Sequence, residues 1–153
     1  MQKSSSNIVP KKLIFEIGGY DSSSYSLELK GDRLKYHDGY SPVIRDENFF
    51  KPSDKEWVQL RKDLDKVGVW NWSRQYESDV LDGTQWSFEV SYEDNSIKIY
   101  GNNAYPAPKN LSEGVVLEFT KPFMDLISAL KNISSDDCFN LSLVNELNTI
   151  GLP

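Results

Sequence analysis

Apolar residues return at every second position in four separate stretches of this 153-residue chain, and that period limits the folds open to it. Leu13, Phe15 and Ile17 share one parity, as do Tyr25, Leu27 and Leu29, and then Leu34 and Tyr36. Trp86, Phe88, Val90 and Tyr92 give the cleanest run, with Gln85, Ser87, Glu89 and Ser91 on the other side. Successive side chains of a strand point to opposite faces, so each run reads as a strand with one dry and one wet face. Gly18-Gly19 with Asp21, and then Gly31-Asp32, tolerate tight turns and join the first three runs into a meander. Asp94-Asn95-Ser96 turns the fourth run into a partner strand, Ile97 to Tyr100.

Between the meander and the hairpin the period changes. Residues 38–52 read as a loop broken by Gly39, Pro42 and Pro52. Ser53 with Glu56 three positions on forms a capping-box pair, and Trp57, Leu60, Leu64 and Val67 then share one helical face up to Gly68. Residues 101–114 read as loop, and Val115 to Phe119 as a further strand. Thr120 caps a second helix that takes Pro122 in its first turn and carries Phe123, Ile127 and Leu130 as its stripe. From Asn140 the helical pattern returns weakly through Leu143, Val144, Leu147 and Ile150.

The class that accounts for these stripes is α+β. It is a single antiparallel sheet of about five to six strands, meander plus hairpin, with two or three helices packed on one face. Residues 1–12 are expected to be flexible and 13–132 to form the single domain. Residues 133–153 are expected to be a C-terminal extension, a short helix packing on the domain or on a partner.

Charge narrows the partners. Residues 1–76 hold 13 Lys/Arg against 11 Asp/Glu, whereas residues 77–153 hold 4 against 12, a net of −8 with no arginine after Arg74. Phosphate backbones demand clustered basic residues, so neither nucleic acid nor an anionic membrane is an expected partner. An acidic half can instead steer a basic protein. The first apolar run, Leu13 to Ile17, is too short for a signal peptide or a membrane span of about 20 residues, and the expected location is the cytoplasm. Cys138 is the single cysteine, which excludes an internal disulfide.

Catalytic constellations find little support. His37 is the one histidine, and its parity with Arg33 and Lys35 puts it on the wet side of a strand. A triad or a two-histidine metal site cannot be built from one imidazole. Cys138 follows Asp136-Asp137, which disfavour its thiolate. Asp79-Val80-Leu81-Asp82-Gly83 lacks the alternating oxygen ligands of a calcium loop. Phosphate-loop, dinucleotide and serine-elbow motifs do not occur, so no cofactor and no metal are expected.

The densest block of unusual residues runs from 70 to 106 and holds three of the four tryptophans. Trp86 belongs to the dry parity of its strand. Trp70 and Trp72, just past Gly68, read either as a short buried strand or as partly exposed rings. Gly101-Asn102-Asn103-Ala104-Tyr105-Pro106 reads either as a turn built on asparagine or as a recognition loop. In order these are Trp-x-Trp, Tyr76, Asp82-Gly83-Thr84-Gln85-Trp86 opening a strand, and Gly-x-Asn-x-Tyr-Pro after the next one. The string resembles a pattern of uncharacterised small bacterial proteins. It covers about a quarter of the chain, excludes residues 133–153, and implies a shared fold without an activity, substrate or catalytic residue.

Three functional expectations follow. The first is a non-enzymatic binding protein, immunity- or inhibitor-like, that meets a basic partner through an acidic surface at Asp79, Asp82, Glu93 and Asp94. The second is a site for a sugar or a nucleotide base lined by Trp70, Trp72, Tyr76, Asn102, Asn103 and Tyr105, with aromatic planes taking ring faces and amides the polar edges. The third is hydrolysis by a carboxylate pair drawn from Glu77, Asp79 and Asp82. Oligomeric state is left open by the sequence.

Overall fold

The structure, a computed structural model, describes residues 8–19, 23–40, 43–77, 84–106 and 120–139. Its strands are β1 (Lys12–Gly19), β2 (Ser23–Lys30), β3 (Arg33–Tyr40), β4 (Val43–Phe50), β5 (Gln75–Glu77), β6 (Thr84–Ser91) and β7 (Ser96–Asn102). Two helices, α1 (Asp54–Val67) and α2 (Lys121–Asn132), and a single 3-10 turn at Val69–Asn71 complete the described elements. The strands form one sheet in the order β4-β3-β2-β1-β6-β7-β5. Every neighbouring pair is antiparallel except β5 with β7.

The period-two runs become the dry face of this sheet. Register aligns Phe15 with Leu27 and Phe88, and Phe88 with Ile99, and cross-strand partners share a face. All four are buried but Leu27, Phe15 and Phe88 have no exposure at all, which marks the middle of the core. The β2–β3 turn has two residues, Gly31 and Asp32, between the paired Lys30 and Arg33. Gly31 takes φ +67, a conformation that glycine adopts without steric penalty.

Both helices start at the expected caps. The Ser53 hydroxyl accepts from the Glu56 N–H at 3.2 Å while the Glu56 carboxylate accepts from the Ser53 N–H at 2.9 Å. Gly68, at φ +80, closes α1 by donating its N–H to the Leu64 carbonyl. Trp57, Leu60 and Leu64 face the core from α1, and Phe123, Leu126, Ile127, Ala129 and Leu130 face it from α2. Both stripes are the apolar faces of amphipathic helices laid on the sheet.

Several expectations need correction. Residues 43–50 form edge strand β4 where a loop was read, because Pro42 and Pro52 flank the strand without interrupting it. Gly39 marks a shift of register against β4. Backbone pairing with β3 along one edge holds these residues as a strand without an apolar period of their own. Residues 8–12 are not free: Ile8 and Val9 pack against the core, Pro10 is buried, and the Lys11 N–H donates to the Ser91 carbonyl at 2.7 Å. Trp70 and Trp72 do not form a strand, since the chain leaving Gly68 enters a 3-10 turn.

The core also continues beyond residue 132. Ile133, Cys138 and Phe139 are buried, and Phe139 sits edge-on to Phe15 at 5.4 Å and to Tyr36 at 5.3 Å. Phe139 holds φ +54, rare for a bulky residue, while its N–H donates to the Tyr36 hydroxyl at 2.9 Å. The strand read at 115–119 and the helical pattern of 140–153 lie outside the described residues.

Candidate functional site

Trp86 determines where the aromatic block goes. It stands on the dry face of β6 across from Gly101 on β7, and its indole N–H donates to the Ala104 carbonyl at 3.0 Å. Tyr105 stacks near-parallel to it, 7° between planes at 6.3 Å, and Phe123 meets it edge-on at 4.8 Å. Asn103 takes φ +52 and donates its N–H to the Thr84 carbonyl at 2.6 Å, which turns Ala104 and Tyr105 inward over the indole. The Thr120 hydroxyl then donates to the Pro106 carbonyl and ties the segment to the start of α2. Burial pushes the pKa of the Tyr105 hydroxyl up, with a hydrogen bond to Thr84 opposing. Asn103 and Tyr105 are therefore packed into the core, and the recognition-loop reading of these two residues is corrected: the segment wraps Trp86.

Tyr76 lies on the same side. Its ring stacks on Trp86 at 6.1 Å and 24°, and its hydroxyl accepts from the Ser73 N–H at 3.0 Å. Trp72 is half-buried against the core. Trp70 instead belongs to a second cluster around Arg61 of α1. The Arg61 fork donates to both carboxylate oxygens of Asp94, at 2.9 and 2.8 Å, and its Nε donates to Asp65 at 2.9 Å. Trp70 Nε1 donates to the same Asp65 oxygen at 2.7 Å. The guanidinium carbon lies 5.2 Å from the Trp70 ring centre and 4.7 Å from that of Tyr92, within cation–π range of both.

This second cluster is a clamp between α1 and the β6–β7 turn. The Arg61 hydrogen bonds hold the Asp94 carboxyl below its ordinary pKa, and the same bonds, Asp94 first, raise that of Arg61. Asp94 is thus on the surface and paired, with Arg61 sharing its one charge between Asp94 and Asp65. Glu93 beside it is exposed, and Asp79 and Asp82 lie outside the described residues. Glu77 is exposed at the end of β5. Since Glu77 pairs with Asn102 and Glu93 follows the far end of β6, these two carboxylates occupy opposite ends of the sheet.

Asn102 parts company with Asn103. It points to the face of the sheet opposite the helices, where register builds two rows. Glu16, Ser87, Tyr100 and Gln75 form one, and Gly18, Gln85, Asn102 and Glu77 form the next. Tyr100, at 41% exposure, is a large apolar side chain open to solvent in the middle of this polar field. Sequence reading did not single it out, although its parity against Ile97 and Ile99 already placed it on the wet side. Phe49, 54% exposed, is on the same face at β4, with the Lys35 ammonium 5.9 Å from its ring centre.

The remaining reactive residues are held in structural settings. His37 Nδ1 lies 3.5 Å from a Glu47 carboxylate oxygen, too long for a good hydrogen bond. Cys138 is buried, and burial pushes its thiol pKa up. Among the described residues no group of three His, Cys, Asp or Glu is placed to hold a metal ion, and no helix is long and apolar enough to cross a membrane. No protein-family model matches the chain, and no curated protein matches it. Function is therefore read from geometry and chemistry.

Proposed function

We propose that the chain is a non-enzymatic binding protein and that it binds through the face of its sheet opposite α1 and α2. The observation that carries the reading is Tyr100, an exposed aromatic ring fixed on β7 between β6 and the edge strand β5 and ringed by hydroxyl, amide and carboxylate side chains. Interfaces favour tyrosine because it offers a large, rigid contact area with a polar end. The dry face of the same strands is locked by Trp86 and Phe88, so the outer face is presented on a stiff support.

A basic protein partner finds less support than this face does. Asp94 is paired with Arg61, and Glu89 lies 3.4 Å from the Lys12 ammonium. Glu93 and Glu77 are too far apart to act as one patch.

The test passes host extract, proteins and soluble glycans alike, over the immobilised full chain and over Tyr100→Ser of equal melting temperature. A component retained by the first and lost by the second supports the proposal. Equal retention on both refutes it, and retention lost instead in Glu93→Lys moves the binding surface to the β6–β7 turn.

A further inference from the structure

We infer that Tyr100 and the amides beside it form a platform for a neutral oligosaccharide, an inference that rests on the sheet face opposite α1 and α2 being the binding surface. The patch is built by register, independently of loop placement. Tyr100 is flanked in its row by Ser87 and Gln75, and Gln85 and Asn102 stand in the next row. Strands about 4.8 Å apart make the patch from β1 to β5 about 15 Å long, room for a short chain of sugar rings. Its floor is rigid because the opposite faces of β6 and β7 carry buried Trp86, Phe88, Ile97 and Ile99.

Charge selects among ligands. Glu16 and Glu77 face the same solvent as Lys98, and Glu89 is already paired with Lys12. A phosphate polymer arriving at this patch meets Glu16 and Glu77, while the basic side chains Lys30, Arg33 and Lys35 of the same face stand on β2 and β3 outside it, and phosphate affinity depends on a basic cluster. A basic peptide meets Glu16 and Glu77 only at the two ends of the patch, about 15 Å apart, with uncharged Ser87, Tyr100 and amides between them and Lys98 alongside. A neutral polyol needs neither sign. The electron-rich face of an aromatic ring attracts the C–H bonds on the flat side of a pyranose, as it attracts the positive edge of another ring. Glutamine and asparagine side chains each donate and accept, which matches hydroxyl groups that do both. Glu16 and Glu77 add strong acceptors for sugar hydroxyls.

Other clusters do not compete with this one. The Arg61 fork is already bonded to Asp65 and Asp94, and the aromatic core around Trp86 is closed to solvent.

The experiment titrates the full chain with soluble hexasaccharides of glucose, N-acetylglucosamine and xylose, and separately with oligolysine, by thermal shift and backbone-amide NMR. At least one sugar is expected to raise the melting temperature, to do so equally at low and high salt, and to shift amides of β5, β6 and β7. Tyr100→Ala is expected to weaken that sugar about tenfold, while Tyr100→Phe, which keeps the ring, retains most of the affinity. No response to any hexasaccharide, or a response that Tyr100→Ala leaves intact, overturns the inference. Salt-sensitive oligolysine binding that Tyr100→Ala abolishes overturns the sugar and keeps the face. Loss of both responses, with equal extract retention by the chain and Tyr100→Ser, overturns the face as well.

Discussion

Gly101→Ala is the sharpest probe of this fold. A Cβ at residue 101 would overlap Nε1 and Cε2 of the Trp86 indole. The ring has little room to yield, because Nε1 is bonded to the Ala104 carbonyl and Tyr105, Tyr76 and Phe123 pack on it. Either β7 moves off the sheet or the indole leaves its acceptor. Overpacking a core costs about 1–3 kcal/mol, and a buried N–H left without its acceptor adds about 1–3 kcal/mol. The expected loss is therefore about 2–6 kcal/mol, against a total stability of about 5–15 kcal/mol for a domain. Urea unfolding followed by tryptophan fluorescence and far-UV circular dichroism measures it. Gly68→Ala is the control: a Cβ there meets nothing within 4 Å, so the substitution carries only the left-handed strain at φ +80, about 1–2 kcal/mol. A Gly101→Ala cost no larger than the Gly68→Ala cost refutes the tight Trp86 fit. The double variant with Trp86→Leu sharpens the point, since removing the indole should erase most of the Gly101→Ala penalty as a coupling energy.

Phe139→Ala is expected to destabilise the chain by about 3–5 kcal/mol in the same assay, because the ring packs on Phe15, Tyr25 and Tyr36; a loss under about 1 kcal/mol would put residues 133–139 outside the core. Arg61 holds the Asp94 carboxyl below its ordinary 3.8, so the stabilisation it gives is present above that value and lost as pH falls through the lower folded value. The stability difference between the chain and Asp94→Asn should accordingly hold near neutral pH and shrink below about pH 4, and a difference that is constant down to acid would refute the fork. Cys138 is buried with its thiol pKa raised, so Ellman's reagent should react only as fast as the chain unfolds. Rapid labelling in native buffer would show the thiol to be open.

What was legible in the sequence is what local period encodes. Leu13, Phe15 and Ile17 announce a strand because each neighbouring residue must face the other way, and Ser53 with Glu56 announces a helix start because the free N–H groups need acceptors. The β4 strand was hidden because its sequence, Val43-Ile44-Arg45-Asp46-Glu47-Asn48-Phe49-Phe50, has no alternation. Only pairing with β3 makes it a strand. The three residues of β5 were hidden for a related reason: their partner is Tyr100 to Asn102, in parallel and not adjacent in the chain, and no local rule points there.

The burial of Asn103 and Tyr105 was illegible for the same physical reason. Whether Gly101 to Pro106 is a recognition loop depends on one fact that the segment itself does not contain, namely that Trp86 lies where a side chain on residue 101 would be. Given that contact, Asn103 must turn the chain inward and Tyr105 becomes core. Residue 100, one position earlier, must then point the other way. Tyr100 is exposed because Gly101 is closed, and Gln75, Gln85 and Asn102 surround it because β5 and β6 pair on either side of β7. The fit under the sheet and the surface above it are two sides of one strand. Displacing β7 by Gly101→Ala should consequently weaken any ligand held at Tyr100, even though residue 101 never touches it.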